Sequence, residues 1–134
     1  MLNQYLVGLP AFLAYFGVSI ALLIAFAIVY TALTPHHEFE LIKANKSAGA
    51  IAFGGSMLGF VLPLVSAISN SVSIMDCLLW GAVAFIVQIL TFISLRLFIR
   101  DLSQRIANDE IATGVFVAFA SVAVGLLNAA SMNY

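Results

Sequence analysis

The chain has 134 residues, of which 63% are hydrophobic and only 8% charged, whereas an ordinary soluble domain carries about 25% charged residues. A water-facing surface cannot be built from such a chain, and five basic against six acidic residues offer no charge excess that a nucleic acid would recognise. The single cysteine, Cys77, excludes an intrachain disulfide and reads as a small apolar packing residue.

In chain order, the N-terminus lacks the positive region of a secretory signal and its apolar run is long enough to cross a bilayer, so it is read as retained. The first predicted span runs from Pro10 to Leu33. Gly17, Ala21 and Ala25 recur every four residues along it, a spacing that lets helix backbones approach closely in lipid.

The most polar stretch follows, Thr34 to Lys46. Thr34 suits an N-cap with Pro35 at the first helical position, and acids early with lysines late complement the helix dipole. The spacing predicts a short interfacial helix with Phe39 and Ile42 toward lipid. His36, His37, Glu38, Glu40, Lys43 and Lys46 form a candidate loop for docking a partner. His36 and Glu40 stand four apart, but two or three such groups on a short turn do not make a metal site unless subunits pool ligands, and no metal or cofactor is expected.

The second span, Ser47 to Ser69, carries Ala48, Ala52, Gly55 and Gly59 on one face, the last two as GxxxG. Pro63 removes a backbone donor, so a kink is expected there, and the carbonyl of Gly59 needs a partner from a neighbouring helix, Ser56 or a water. The third span, Cys77 to Leu97, places Gly81, Ala84, Gln88, Thr91 and Leu95 on one face. The amide of Gln88 near mid-membrane reads as an interhelical hydrogen bond or as a contact for a permeating solute. A second loop, Arg100 to Glu110, has charges in places similar to the first but neither His nor Pro. The fourth span, Ile111 to Met132, carries Gly114, Ala118, Ser121, Gly125 and Ala129 at packing spacing, with Asn128 near its end. The small-residue rows point to tight packing, with a narrow water path lined by Ser56, Gln88, Thr91 and Asn128 as the alternative.

Each stretch has about the 20 residues that a helix needs to cross a hydrocarbon core about 30 Å thick, and none contains a charged residue except Arg96 at the edge of the third. Strands of a barrel would alternate in polarity, and these do not. All five basic residues fall between spans one and two or at the end of span three. The positive-inside rule therefore puts both loops in the cytoplasm and both termini outside. No intramembrane charge is available to relay protons, and phosphate-loop, CxxC, HExxH and Ser-His-Asp patterns are all missing, so an enzyme is not expected.

A shift of 64 residues superposes Gly17 on Gly81, Ile42 on Ile106, Ala48 on Ala112 and Leu62 on Leu126. The expected architecture is an all-α integral membrane four-helix bundle of two tandem two-helix repeats, about 10–70 and 76–134, in parallel orientation. Self-association into a homo-oligomer is expected.

From Thr34 to Lys46, and through Ala48-Gly49-Ala50-Ile51-Ala52-Phe53-Gly54-Gly55-Ser56-Met57-Leu58-Gly59-Phe60-Val61-Leu62-Pro63, the chain resembles bacterial inner-membrane proteins built from two tandem copies of the domain of unknown function 350. The likeness extends over the second half through Asn108, Ala112, Gly114 and Asn128-Ala129-Ala130. It implies an inner-membrane location and carries over no catalytic residue. Members often accompany membrane-remodelling, stress-response or polyamine-ligase genes, which implies a membrane component of an envelope-maintenance or stress assembly with a cytoplasmic or membrane protein partner. From the residues alone, an oligomeric channel or small-solute permease is the competing expectation.

Overall fold

The computed structural model describes residues 2–34 and 38–132. Its elements are α1 (Leu2–Leu33), α2 (Glu38–Lys43), α3 (Ser47–Asn70), α4 (Ile74–Phe98), α5 (Leu102–Ala107) and α6 (Ile111–Ser131), with no strand among the described residues. The four long helices are each long and apolar enough to cross a membrane.

Two boundaries differ by more than one residue from those expected. α1 begins at Leu2, before Pro10; that proline withholds one backbone donor and does not end the helix. At 32 residues α1 is about 48 Å long at 1.5 Å per residue, well beyond a hydrocarbon core about 30 Å thick. α4 begins at Ile74 rather than Cys77 because Ser73 caps it. The Asp76 amide donates to Ser73 Oγ at 3.2 Å, and the Val72 amide donates to Asp76 Oδ2 at 3.3 Å, reciprocal bonds in the manner of a capping box.

The two short helices close alike. After α2, the Lys46 amide bonds the Leu41 carbonyl at 2.9 Å and the Asn45 amide bonds Ile42 at 3.0 Å. After α5, the Glu110 amide bonds Arg105 and the Asp109 amide bonds Ile106, each at 3.0 Å. These are Schellman closures with a left-handed residue at the turn, Asn45 at φ 62° and Asp109 at φ 60°. Both are side chains that tolerate this conformation.

α3 and α6 form the centre. Side chains at Gly114 and Gly55 would overlap the backbone at Ala48 and Ala118 respectively, and one at Gly125 would overlap the Gly59 carbonyl. The contacts climb both helices together, from Ala48 with Gly114 to Ser66 with Ala129, so the two helices point the same way. Pro63 withholds the helical donor from that Gly59 carbonyl, and Gly125 of α6 packs directly against it.

α1 is held differently. Phe26 stacks on Phe60 at 4.9 Å and meets Phe85 edge-on at 5.6 Å, while Tyr30 stacks on Phe53 at 5.3 Å and meets Phe92 at 4.9 Å. Phe26 and Tyr30 are fully buried. By contrast, residues 2–14 are all exposed. Gly17 and Ala21, expected to be packing residues, face outward, and a side chain at Gly17 would meet nothing within 4 Å. The expectation is corrected for a single chain: α1 docks through its aromatic face near the charged rim, and its small-residue row looks away from the bundle.

Candidate functional site: a buried polar junction and a charged rim

Three long helices meet at a polar junction. Gln88 of α4 is buried, and its Nε2 donates to the Ser121 carbonyl of α6 at 3.0 Å. Ser56 of α3 and Ser121 of α6, both buried, bring their hydroxyls to 3.4 Å. The absence of a side chain at Gly59 makes the room, because a Cβ there would press on Gln88 Nε2 at 2.9 Å and on the Ser121 carbonyl. Gln88 Oε1 and Asn128 Nδ2 are buried with no hydrogen-bond partner among the described residues. The junction can tie helices together in lipid. It has no acid, base or nucleophile poised for chemistry.

Of the residues expected to line a water path, Ser56 and Gln88 are both buried and both meet Ser121. Thr91 lies apart: its hydroxyl donates to the Val87 carbonyl at 2.8 Å and it lines an outward furrow between α4 and α6. Asn128 sits two turns beyond Ser121 on α6 and shares no bond with the junction. By spacing alone Ser121 is one more small residue of the packing row. Its mid-span hydroxyl was the available signal for a polar contact, and the register of α6 on α3 was the missing information.

At the other level lies the charged rim. Phe39, Glu40, Ile42, Lys43 and Lys46 are exposed, Phe39 also meeting Phe53 edge-on at 5.6 Å. His36 and His37 lie outside the described residues, as does the side chain of Glu38, and with them the expected cap at Thr34 and the pairing of His36 with Glu40. Among the described residues no group of three His, Cys, Asp or Glu gathers as a metal site. Arg96 reaches back to α1, its Nη1 donating to the Leu33 carbonyl at 3.0 Å, a cation on the negative end of a helix dipole. The α3 N-terminus receives no cap from its own Lys46. Asp109, from the turn before α6, supplies it, with Oδ1 accepting from the Ala48 amide at 2.9 Å. Nothing in the sequence next to α3 predicts this cap from a distant part of the same chain. Its only sequence signal was an acid just ahead of a span, with no indication of which helix it serves.

The domain of unknown function DUF350 matches residues 4–132. The chain belongs to the DUF350 family. It is 44% identical over 127 residues to the UPF0719 inner membrane protein YjfL of Escherichia coli (strain K12), covering 95% of this chain and 96% of that one. It is 29% identical over 115 residues to the UPF0719 transmembrane protein YshE of Bacillus subtilis (strain 168), covering 84% of each. No solved structure matches it significantly. As a DUF350 member with four apolar spans, the chain is a polytopic inner-membrane protein, and no catalytic site is seen among its described residues.

Proposed function

We propose that this DUF350 protein is a self-associating membrane component of an envelope-maintenance or stress assembly, and that it docks a cytoplasmic partner through the loop of His36, His37, Glu38, Glu40, Lys43 and Lys46. The observation that carries self-association is α1. Its outer half is unpartnered within one chain, with Tyr5 74%, Val7 78% and Phe12 59% exposed. In this reading the charged rim is cytoplasmic, as the basic residues require, and both termini are periplasmic. The matching turns at Asn45 and Asp109, 64 residues apart, support two parallel copies of one unit, each a long, a short and a long helix.

Cross-linking in native membranes, followed by purification with and without reversal of Glu40, Lys43 and Lys46, tests the docking loop. A protein cross-linked to the loop of the wild type and lost on reversal is the expected result; the same proteins recovered from both would overturn it.

A further inference from the structure

Two furrows open on the lipid-facing surface, and they differ in chemistry. The one between α1 and α3, about 330 Å³, is almost wholly apolar; of the two hydroxyl-bearing residues that line it, Tyr15 and Ser19, the Ser19 hydroxyl is spent on the Tyr15 carbonyl at 2.7 Å. The one between α4 and α6, about 460 Å³, runs from Val87 and Val124 in the membrane interior to Phe98 at the charged rim. Phe98 also borders a second hollow of about 310 Å³, lined by Arg105 and Thr113. Thr113, Phe116, Ala120 and Val124 follow one another at three- and four-residue spacing along one face of α6, so the two hollows lie end to end as a groove with Phe98 at their junction, apolar at the deep end and with Arg105 at the mouth.

The polar groups are spaced along this groove in a definite order. Arg105 and Thr113 stand at the mouth, and neither side chain has a hydrogen-bond partner among the described residues. Ser94, likewise without one, lines the groove four residues before Phe98, about 6 Å deeper at 1.5 Å per residue. That depth matches one headgroup layer, which is roughly 5–7 Å thick when a bilayer about 40–45 Å across encloses a core of about 30 Å. Beyond Ser94 the lining is Leu90, Val87, Ala120 and Val124, with only Thr91 polar and already bonded within its own helix.

Asp101, Asp109 and Glu110 belong to the same short segment and keep their charge, but among the described residues none of them forms an ion pair with Arg105. A cation at headgroup depth above an apolar channel complements an anionic lipid.

We propose that the α4–α6 groove is a binding site for one anionic phospholipid of the leaflet at the charged rim. Its phosphate is held by Arg105 and Thr113, its ester carbonyl by the Ser94 hydroxyl, and one acyl chain lies along Leu90 and Ala120. The site is independent of whether the protein acts as a scaffold or a pore.

Native mass spectrometry of the full chain in detergent, titrated with dioleoyl phosphatidylglycerol or dioleoyl phosphatidylcholine, tests it. One phosphatidylglycerol per chain is expected, held more tightly than phosphatidylcholine. Arg105→Gln is expected to weaken it about fivefold, the effect of one basic residue at a charged lipid surface. Thr113→Val and Ser94→Val should each weaken it less, and Arg96→Gln, whose guanidinium faces α1, should leave it unchanged. Melting temperatures confirm that each variant is folded. Equal retention of the two lipids, undiminished phosphatidylglycerol binding by folded Arg105→Gln and Thr113→Val, or an equal loss in Arg96→Gln would overturn the proposal. So would efficient disulfide cross-linking between copies of Ser94→Cys in native membranes, which would assign the groove to a second chain.

Discussion

α1 and α3 are both long, apolar and studded with small residues, yet within one chain their situations are opposite. Of the most apolar 18-residue stretch, 44% is buried in α3 and 6% in α1. Lipid tails are as apolar as any side chain, so greasiness gives a helix no reason to pack. α3 is buried because its glycines meet another backbone at matching heights, and a serine-glutamine junction then ties the contact. α1 has Gly17, Ala21 and Ala25 at the same spacing but no backbone opposite them, and it is fastened by rings at one end.

The harshest way to break this contrast is to fill the α3–α6 seam. Leucine at position 125 would collide with the Gly59 carbonyl, backbone that cannot rotate aside. Gly125→Leu is expected to cost about 3 kcal/mol, the upper end of overpacking penalties, and to abolish recovery of folded protein from mild detergent. A folded Gly125→Leu variant with an unchanged unfolding midpoint would mean that α3 and α6 are not in backbone contact.

Removing the ring that docks α1 should do less. Phe26→Ala forfeits contacts with Phe60 and Phe85 at about 2 kcal/mol, below the roughly 3–5 kcal/mol seen in aqueous cores, because lipid rather than water refills the space. The loss should be confined to α1 and is read as faster proteolysis of the α1–α2 connection with α3–α6 still protected. Global unfolding in step with that cleavage would show that α1 and the seam are one cooperative unit.

The cap that Asp109 places on α3 ranks next. Asp109→Ala leaves the Ala48 amide without its acceptor and should destabilise the fold by about 1 kcal/mol, as loss of a helix N-cap does. Asp109→Asn, which keeps an acceptor oxygen and tolerates the left-handed turn, should recover part of it. Denaturant titration in micelles would separate the pair.

These residues also show where sequence reading succeeds and stops. The four spans were legible because lipid leaves a hydrogen-bonded helix as the one economical form for an apolar run. The need for a partner at the Gly59 carbonyl was legible from Pro63; that Gly125 packs against it was not. Spacing shows that a face is smooth, not what lies against it, so Gly17 and Gly55 looked alike. Asp109 and Ser121 escaped for the same reason: each acts on a helix some 60 residues distant, and only the register of α6 on α3 identifies the partner.

A gentler probe of the junction is Gln88→Leu. It deletes a hydrogen bond to Ser121, worth about 0.6 kcal/mol on average between membrane helices, and it also removes an unpaired Oε1 whose burial is itself unfavourable. The two terms oppose, so the net change should stay under about 1 kcal/mol. A loss several times larger would mean that Gln88 Oε1 is hydrogen-bonded inside the junction, as to a buried water.

The smallest effect on folding is expected where the contrast is drawn most sharply. Gly17→Leu adds a side chain into open space, so the unfolding midpoint should move by no more than about 0.5 kcal/mol, as for substitutions that touch nothing. In native membranes the same change should reduce cross-linking between copies, because a smooth row of Gly17, Ala21 and Ala25 is useful only to a second helix that comes close. Leucine at Gly55, by contrast, would damage the single chain before any association could be measured. If Gly17→Leu left cross-linking unaltered, the row would face lipid in the assembly as it does in the isolated chain, and the outer half of α1 would no longer support self-association.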